Sequence, residues 1–344
     1  MLFPVSLVWS SGAFVASPHP DVPLFPLGVL SAALVLSMLR GDERLRTSLT
    51  GLTMLVALGI SIKLSFAAFG LTALAIGIVA TWKRLNTPER IRALIAPALL
   101  AFAIGGPWIA RGYILSGYPA YPSTVLRSSA DWRVPEELAA REVAVIRAMA
   151  RDGKRPWQEV ARDPHWMSVW FPRTVRRVFE VTLPLGLFVL GLIVFFAARR
   201  HGGDARRMLW VLAPPGVALV AWFFMAPDPR FAGASFWILG AGATALAITA
   251  LNEKFTRRAA LAALVLALVI FALDYPNQGT HRGPHSLPQP EIAQTALTDG
   301  TAVTVPPDGL CWDGPLLCTP EADPGLRLRK SGDISAGFQI TRAF

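Results

Sequence analysis

The chain has 344 residues, of which 53% are hydrophobic and 16% are charged, and its mean hydropathy is +0.45. This composition excludes an ordinary soluble domain and is typical of proteins with several membrane-spanning helices. The formal charge of +10 does not indicate nucleic-acid binding, because the basic residues are divided between loops beside apolar segments, where anionic lipid attracts them, and one long loop.

Eight apolar segments follow one another and are predicted to be helices that span a membrane or form hairpins in it. They are residues 22–39, 49–62, 64–82, 94–109, 181–198, 208–226, 231–251 and 259–273. Segments 49–62 and 259–273 are shorter than the roughly 20 residues that span a bilayer. We expect 49–62 to form a helical hairpin with 64–82, covering 49–82 and tipped by Lys63. The predicted fold is an all-α polytopic membrane protein.

Basic residues alternate between successive connections of these segments. The connections 40–46, 83–92, 199–207 and 252–258 are short and rich in Lys and Arg, whereas those between them are poor in basic residues or long. Short basic loops stay in the cytoplasm. The sequence therefore predicts that residues 110–180 and the tail 274–344 lie on the opposite side of the membrane.

The N-terminal residues admit two interpretations. Residues 1–16 are apolar, yet the predicted topology places residues 17–21 outside. Residues 1–16 lack the basic region of a secretory signal. Either they form a short first helix that enters from the cytoplasm, or the chain is the C-terminal part of a longer protein, which is the expectation that we prefer.

Two predicted segments lie outside the membrane, between and after the membrane helices 1–109 and 181–273. Residues 110–180 begin with an aromatic, turn-rich stretch, followed by a helix that starts near Pro135 and stops at Gly153. Alternating Trp and Arg residues then indicate helices that lie in the membrane interface. The tail 274–344 contains short strand-like pieces at 301–305, 326–329 and 338–341.

Cys311 and Cys318 are the only cysteines, and both are in the tail. This spacing is compatible with half of a zinc site, but no other Cys and no suitable His pair accompanies it. Outside the cytoplasm a disulfide that closes a small loop is the simpler interpretation. We therefore predict a Cys311–Cys318 disulfide and no metal site.

The candidate site residues are polar side chains at the predicted outer ends of spans. Asp21 begins an inward helix, where the helix dipole alone would favour an acid. Lys63 interrupts an apolar stretch, so it either reaches for water or meets an anion such as phosphate. Arg111 is an interfacial anchor or a phosphate ligand. Asp228 and Arg230 form a local ion pair or contact a ligand.

Three of these features, in this order, resemble a known superfamily. They are the acid in Asp21-Val-Pro-Leu, the hairpin Gly59-Ile-Ser-Ile-Lys63, and Gly-Pro-Trp108 followed by Arg111 before a large loop. The order resembles the GT-C glycosyltransferases, which use polyprenyl-phosphate-linked sugars. The Tyr-Pro-Ala-Tyr-Pro122 and Pro-Asp-Pro-Arg-Phe231 motifs and the two-cysteine tail are similar to an uncharacterised group of bacterial membrane proteins beside them.

The resemblance implies a multi-pass protein of the bacterial inner membrane with a periplasmic tail and amphipathic periplasmic helices. It would transfer sugar from a polyprenyl-phosphate donor to an envelope glycan, lipid or protein, with Lys63, Arg111, Arg230 and Asp228 near the lipid phosphate and Asp21 as the candidate acid–base residue. In the superfamily a leading acid precedes the position of Asp21, and this chain has little there. The alternative is a non-catalytic protein that scaffolds or binds lipid-linked intermediates. No cofactor is assigned, a divalent cation is left open, and the oligomeric state is not predicted.

Overall fold

The computed structural model describes residues 20–41, 44–197 and 207–251, five positions between 258 and 269, and tail residues 293–306, 317–319, 322–323 and 325–340. The chain divides into two compact units. The first consists of Met1–Trp108 and Arg141–Gln278, and the second of Ile109–Ala140 and Gly279–Phe344. The predicted loop 110–180 is thus divided between the two units, because its last part packs with the apolar helices.

The described residues are mostly helical, with two small sheets near the C-terminus. The helices are α1 Asp21–Arg40, α2 Leu45–Ile62, α3 Ala67–Trp82, α4 Thr87–Ser116, α5 Glu136–Arg151, α6 Trp157–Arg162, α7 Trp166–Val175, α8 Leu183–Ala197, α9 Ala213–Met225 and α10 Ser235–Leu251. The strands are β1 Ala293–Ala296, β2 Ala302–Val305, β3 Leu326–Leu328 and β4 Phe338–Ile340. Strand β1 pairs antiparallel with β2, and β3 with β4.

Among the described residues, five helices are long and apolar enough to cross a membrane. They are Asp21–Arg40, Leu45–Ile62, Leu64–Trp82, Thr87–Ser116 and Val178–Ala197, and two shorter apolar helices cover Leu209–Met225 and Ser235–Ile248. These seven coincide with the first seven predicted segments. The eighth, 259–273, lies largely outside the described residues.

Helices α2 and α4 extend four or more residues beyond the predicted bounds of their apolar segments. Helix α2 begins at Leu45, four residues before the predicted hairpin arm, so it has 18 residues. Helix α4 has 30 residues. At its start, Asn86 Oδ1 accepts from the Glu89 N–H and Glu89 Oε2 accepts from the Asn86 N–H, at 3.1 and 3.4 Å, which is a capping box. Helix α4 continues past its predicted end at residue 109 as far as Ser116, and Gly117, with a φ of 79°, ends it.

Glycines allow close approach of the apolar helices in the first unit. Helices α1, α2 and α3 pack together around Leu49, Leu52 and Val35, which are fully buried. Helices α8 and α10 approach closely at Gly191, where a Cβ atom would lie 2.6 Å from the Ala243 carbonyl carbon. Since this obstacle is backbone, the contact between the helices requires glycine.

In the second unit the tail packs on the loop that follows α4. The Arg329 guanidinium contacts the Asp131 carboxylate and lies 5.3 Å from the centre of the Trp132 ring. The backbone N–H of Ile340, the last residue of β4, donates to the Asp131 carbonyl oxygen at 3.2 Å. Strands β2, β3 and β4 coincide with the three predicted strand-like pieces, whereas β1 was not predicted.

Candidate functional site at one end of the apolar helices

An ion pair joins the start of α1 to the end of α2. Lys63 Nζ donates to Asp21 Oδ1, and the two side chains are only 22% and 9% exposed. Asp21 is in the first turn of α1, where the helix dipole favours a negative charge. Charges in such a poorly hydrated position are costly, and a close opposite charge offsets that cost.

The backbone around Lys63 explains why its side chain reaches Asp21. Helix α2 ends at Ile62, and Lys63 is extended, with φ −154° and ψ 122°, before a 3₁₀ turn at Leu64–Phe66 leads into α3. The Phe66 ring then packs against Gly59, where a Cβ atom would lie 2.4 Å from the ring. The glycine and the lysine of the Gly-x-x-x-Lys motif thus have complementary roles: Gly59 accommodates the turn, and Lys63 carries the charge.

A second turn brings an aromatic ring and another ion pair to the same place. Lys63 Nζ lies 4.0 Å from the centre of the Phe231 ring, and Arg230 Cζ lies 4.8 Å from it. Arg230 and Phe231 are in the 3₁₀ turn Pro229–Ala232 that precedes α10. Asp228 accepts from the Arg230 N–H at 3.1 Å, and Arg230 Nε lies 3.8 Å from Asp228 Oδ1. Asp21, Lys63, Asp228, Arg230 and Phe231 are called the charged cluster below.

Two indole groups fix the backbone that carries Asp228. Trp222 Nε1, from α9, donates to the Asp228 carbonyl oxygen at 2.6 Å. Trp170 Nε1, from α7, donates to the Pro227 carbonyl oxygen at 2.5 Å. The two indole rings lie 5.9 Å apart, and Trp222 also contacts Phe236. Helix α7 therefore holds the turn of the charged cluster in place.

Arginine–aspartate contacts connect α5, α6 and α7. Arg155 Nε donates to Asp152 at 2.9 Å, and Arg155 Nη2 donates to Asp163 at 2.7 Å. Burial raises the pKa of Asp152, but hydrogen bonds from Arg155 and the Lys154 N–H outweigh it and hold that pKa below its ordinary value. Arg173 Nη2 also donates to the Ala150 and Arg151 carbonyl oxygens, at 2.9 and 2.8 Å, which ties α7 to the end of α5.

The remaining sequence-predicted site residues belong to the second unit or lie outside the described residues. Arg111 is exposed in the part of α4 that belongs to the second unit, so its predicted convergence with Lys63 on one phosphate stays a prediction. Cys318 follows Leu317 near β2, whereas Cys311 lies outside the described residues, so the predicted disulfide also stays a prediction. No group of three or more His, Cys, Asp or Glu side chains in the described part of the chain could hold a metal ion.

The structure thus brings together four of the five charged candidate site residues, namely Asp21, Lys63, Asp228 and Arg230. The contact of Lys63 with Asp21 was not predicted from the sequence, nor was the position of the Phe231 ring next to two cations. The indole donors were not predicted either. The predicted topology gave one indication that these residues lie close together. It placed the first residue of α1, the last of α2 and the 228–231 connection on the same side of the membrane.

The fold and the site define a class: a helical protein whose apolar helices carry a charged cluster at one end. The match to a known family is to a domain of unknown function, DUF8201, whose family model covers residues 1–237, and the chain belongs to this family. The matched region includes the whole charged cluster. No curated protein and no solved structure matches the chain.

Proposed function

We propose that the protein is a multi-pass protein of a bacterial inner membrane that binds polyprenyl-phosphate-linked sugar at the charged cluster and transfers the sugar to an envelope acceptor on the periplasmic side. The observation that carries the proposal is the Asp21–Lys63 pair, poorly exposed at one end of long apolar helices. Ionisable residues at such positions mark functional sites more often than structural ones.

Stability alone gives little reason for such a pair. A buried ion pair contributes little compared with apolar residues of similar volume, because desolvation offsets the attraction. The cluster contains carboxylates and cations, and glycosyl transfer from a lipid phosphate requires both. A carboxylate accepts the proton of the acceptor hydroxyl, and cations stabilise the departing phosphate.

The proposed step assigns each group one task. The bond between the anomeric carbon and the phosphate oxygen breaks, and its electron pair stays on the phosphate, which Lys63 and Arg230 stabilise. The acceptor oxygen forms the new bond to the anomeric carbon. Its proton passes to a carboxylate, for which Asp21 is the candidate within the charged cluster.

The amphipathic helices support the same placement. Trp170 of α7 donates to the carbonyl oxygen of Pro227, the residue before Asp228 of the cluster, and α5 and α6 are tied to α7 by arginine contacts. In the proposed orientation these helices lie at the periplasmic surface, beside the cluster.

A non-catalytic role as a binder of lipid-linked intermediates is the second candidate. It is favoured by one observation, namely that Asp21 and Asp228 each already contact a cation of the cluster. An acid engaged in this way must release its partner before it accepts a proton. Binding of the lipid phosphate makes no such demand.

Reconstitution into proteoliposomes distinguishes the two roles. With a panel of radiolabelled polyprenyl-phosphate sugars and extracted envelope acceptors, we expect release of polyprenyl phosphate from at least one donor. Asp21→Asn should abolish release without weakening donor binding, because it removes the proton acceptor and leaves Lys63 able to contact the phosphate. Binding of a donor without release by the unaltered protein would assign the non-catalytic role, and the absence of any binding would refute both.

A further inference from the structure

Two arginines that are not part of the charged cluster form a pair on one face of α5. Arg147 and Arg151 are four residues apart, so their side chains are neighbours on the helix surface. Arg151 Cζ lies 4.4 Å from the centre of the Trp166 ring. Arg147 Nε donates to the carbonyl oxygen of Met225, the last residue of α9, at 3.4 Å.

Neither guanidinium contacts a carboxylate among the described residues. Arg151 Nε is shielded from solvent and forms no hydrogen bond there. Burial lowers the pKa of Arg151, and repulsion from Arg147 lowers it further. Like charges four residues apart on a helix destabilise it, and an unpaired cation that is partly desolvated adds to that cost.

The acid nearest in sequence is already engaged. Asp152 accepts from Arg155 and lies 3.9 Å from Arg173 Nη1. No acid in the described part of the chain therefore balances the positive charge of the Arg147–Arg151 pair, which is open to an added anion. Guanidinium groups bind phosphate and carboxylate oxygens through two parallel hydrogen bonds, so a phosphate is one anion whose geometry matches the pair.

The surroundings of the pair are apolar on one side. Phe224 and Met225, at the end of α9, are 71% and 60% exposed, and Met225 is the residue that Arg147 contacts. Trp166 supplies an indole ring, a group that favours the headgroup level of a bilayer. The site thus combines apolar side chains and an indole ring with two cations. A lipid, which has apolar chains next to a charged headgroup, can contact both parts, whereas a free anion contacts only the cations.

We propose that Arg147 and Arg151, backed by Trp166, bind the phosphate of an anionic lipid headgroup. This site seats α5 and α7 on the membrane surface. It rests on the proposed membrane insertion of the apolar helices and is independent of glycosyl transfer.

Lipid binding to the purified full-length protein tests this site. Binding of phosphatidylglycerol is measured by native mass spectrometry in detergent, with diacylglycerol as the uncharged reference lipid. Arg147→Gln and Arg151→Gln should each weaken binding by about tenfold, as expected when a hydrogen-bonded charge is removed. Arg162→Gln, on α6, is the matched control: it removes the same charge from an exposed side chain and should change binding less than twofold, roughly the effect of one exposed charge.

Several outcomes would overturn the site. Equal weakening by all three substitutions would indicate only general attraction by positive charge. Because the Arg147 side chain is exposed, the Arg147→Gln protein should fold normally. Unchanged lipid binding by this variant would show that the pair is not the lipid site. Displacement of the lipid by an equal concentration of inorganic phosphate would assign the site to a free anion. Failure of the protein to insert into liposomes, measured separately, would instead refute the membrane location on which both proposals depend.

Discussion

Lys63 Nζ contacts the Asp21 carboxylate across 42 positions of sequence. The contact joins three structural features: the first turn of α1, the break between α2 and α3, and, through the Phe231 ring, the turn before α10. The Asp21–Lys63 ion pair therefore lies at the ends of apolar helices, next to the Phe231 ring. The proposed chemistry depends on this arrangement.

The first prediction concerns the energetic coupling of this pair. Asp21→Asn and Lys63→Met should each lower the free energy of unfolding by about 2 kcal/mol, because each removes the opposite charge that contacts a poorly exposed one. The double substitution should lose less than the sum of the two, since it removes both charges. Thermal unfolding of the four proteins in one detergent measures this.

The exposed pair Arg46–Glu89 provides the control for that cycle. Its atoms are 3.6 Å apart, and its side chains are 49% and 41% exposed. The same cycle at Arg46 and Glu89 should give a coupling of about 0.5 kcal/mol or less. Additive effects at Asp21 and Lys63 would mean that the pair does not form in the protein.

The second prediction concerns the contact of α8 with α10. Gly191→Ala should lower the melting temperature, because the added methyl group meets the Ala243 backbone, and overpacking costs about 1–3 kcal/mol. Gly186→Ala, on the same helix, is the control, since nothing lies within 4 Å of the added atom. Equal melting temperatures for the two variants would argue against the close helix contact.

Much of the helical architecture could be predicted because apolar runs and their polar borders are local properties of sequence. Seven predicted segments coincide with described helices. Their ends could not be predicted as well, because they depend on caps. Hydropathy ends the fourth segment at residue 109, whereas the backbone continues as helix until the positive φ of Gly117.

The candidate site was predicted residue by residue but not as a geometry. Unusual polar residues beside apolar runs identified Asp21, Lys63, Asp228 and Arg230. Which of them touch depends on helix packing and on the extended backbone of Lys63, neither of which is visible in local sequence. The Arg147–Arg151 pair was missed because basic residues are common in that segment. Its distinguishing features are the spacing of four residues on one helix and the contact of Arg151 with the Trp166 ring, which local sequence does not show.

The third prediction concerns topology. Since short basic loops stay in the cytoplasm, a reporter fused after Arg207 should report the cytoplasm, and one fused after Gly279 should report the periplasm. Alkaline phosphatase and a fluorescent protein, each active on one side only, measure both. The opposite pattern at either position would overturn the proposed orientation, including the location of the charged cluster at the periplasmic end.

The fourth prediction concerns the tail. If Cys311 and Cys318 form a disulfide in the periplasm, neither should react with a maleimide in the native protein until a reductant is added. Labelling is followed by mass spectrometry of the denatured chain, with and without reductant. Immediate labelling of both thiols would refute the disulfide and reopen the question of metal binding.

The most direct test of the central claim is the affinity of polyprenyl phosphate for the protein in nanodiscs, measured for the unaltered chain, Lys63→Ala and Lys83→Ala. Lys83 follows α3, is exposed, and provides the same substitution outside the charged cluster. We predict that Lys63→Ala raises the dissociation constant about tenfold, the loss expected for one charged hydrogen bond, and that Lys83→Ala leaves it unchanged. Equal affinity of Lys63→Ala and the unaltered chain, with both proteins folded and inserted, would contradict the account.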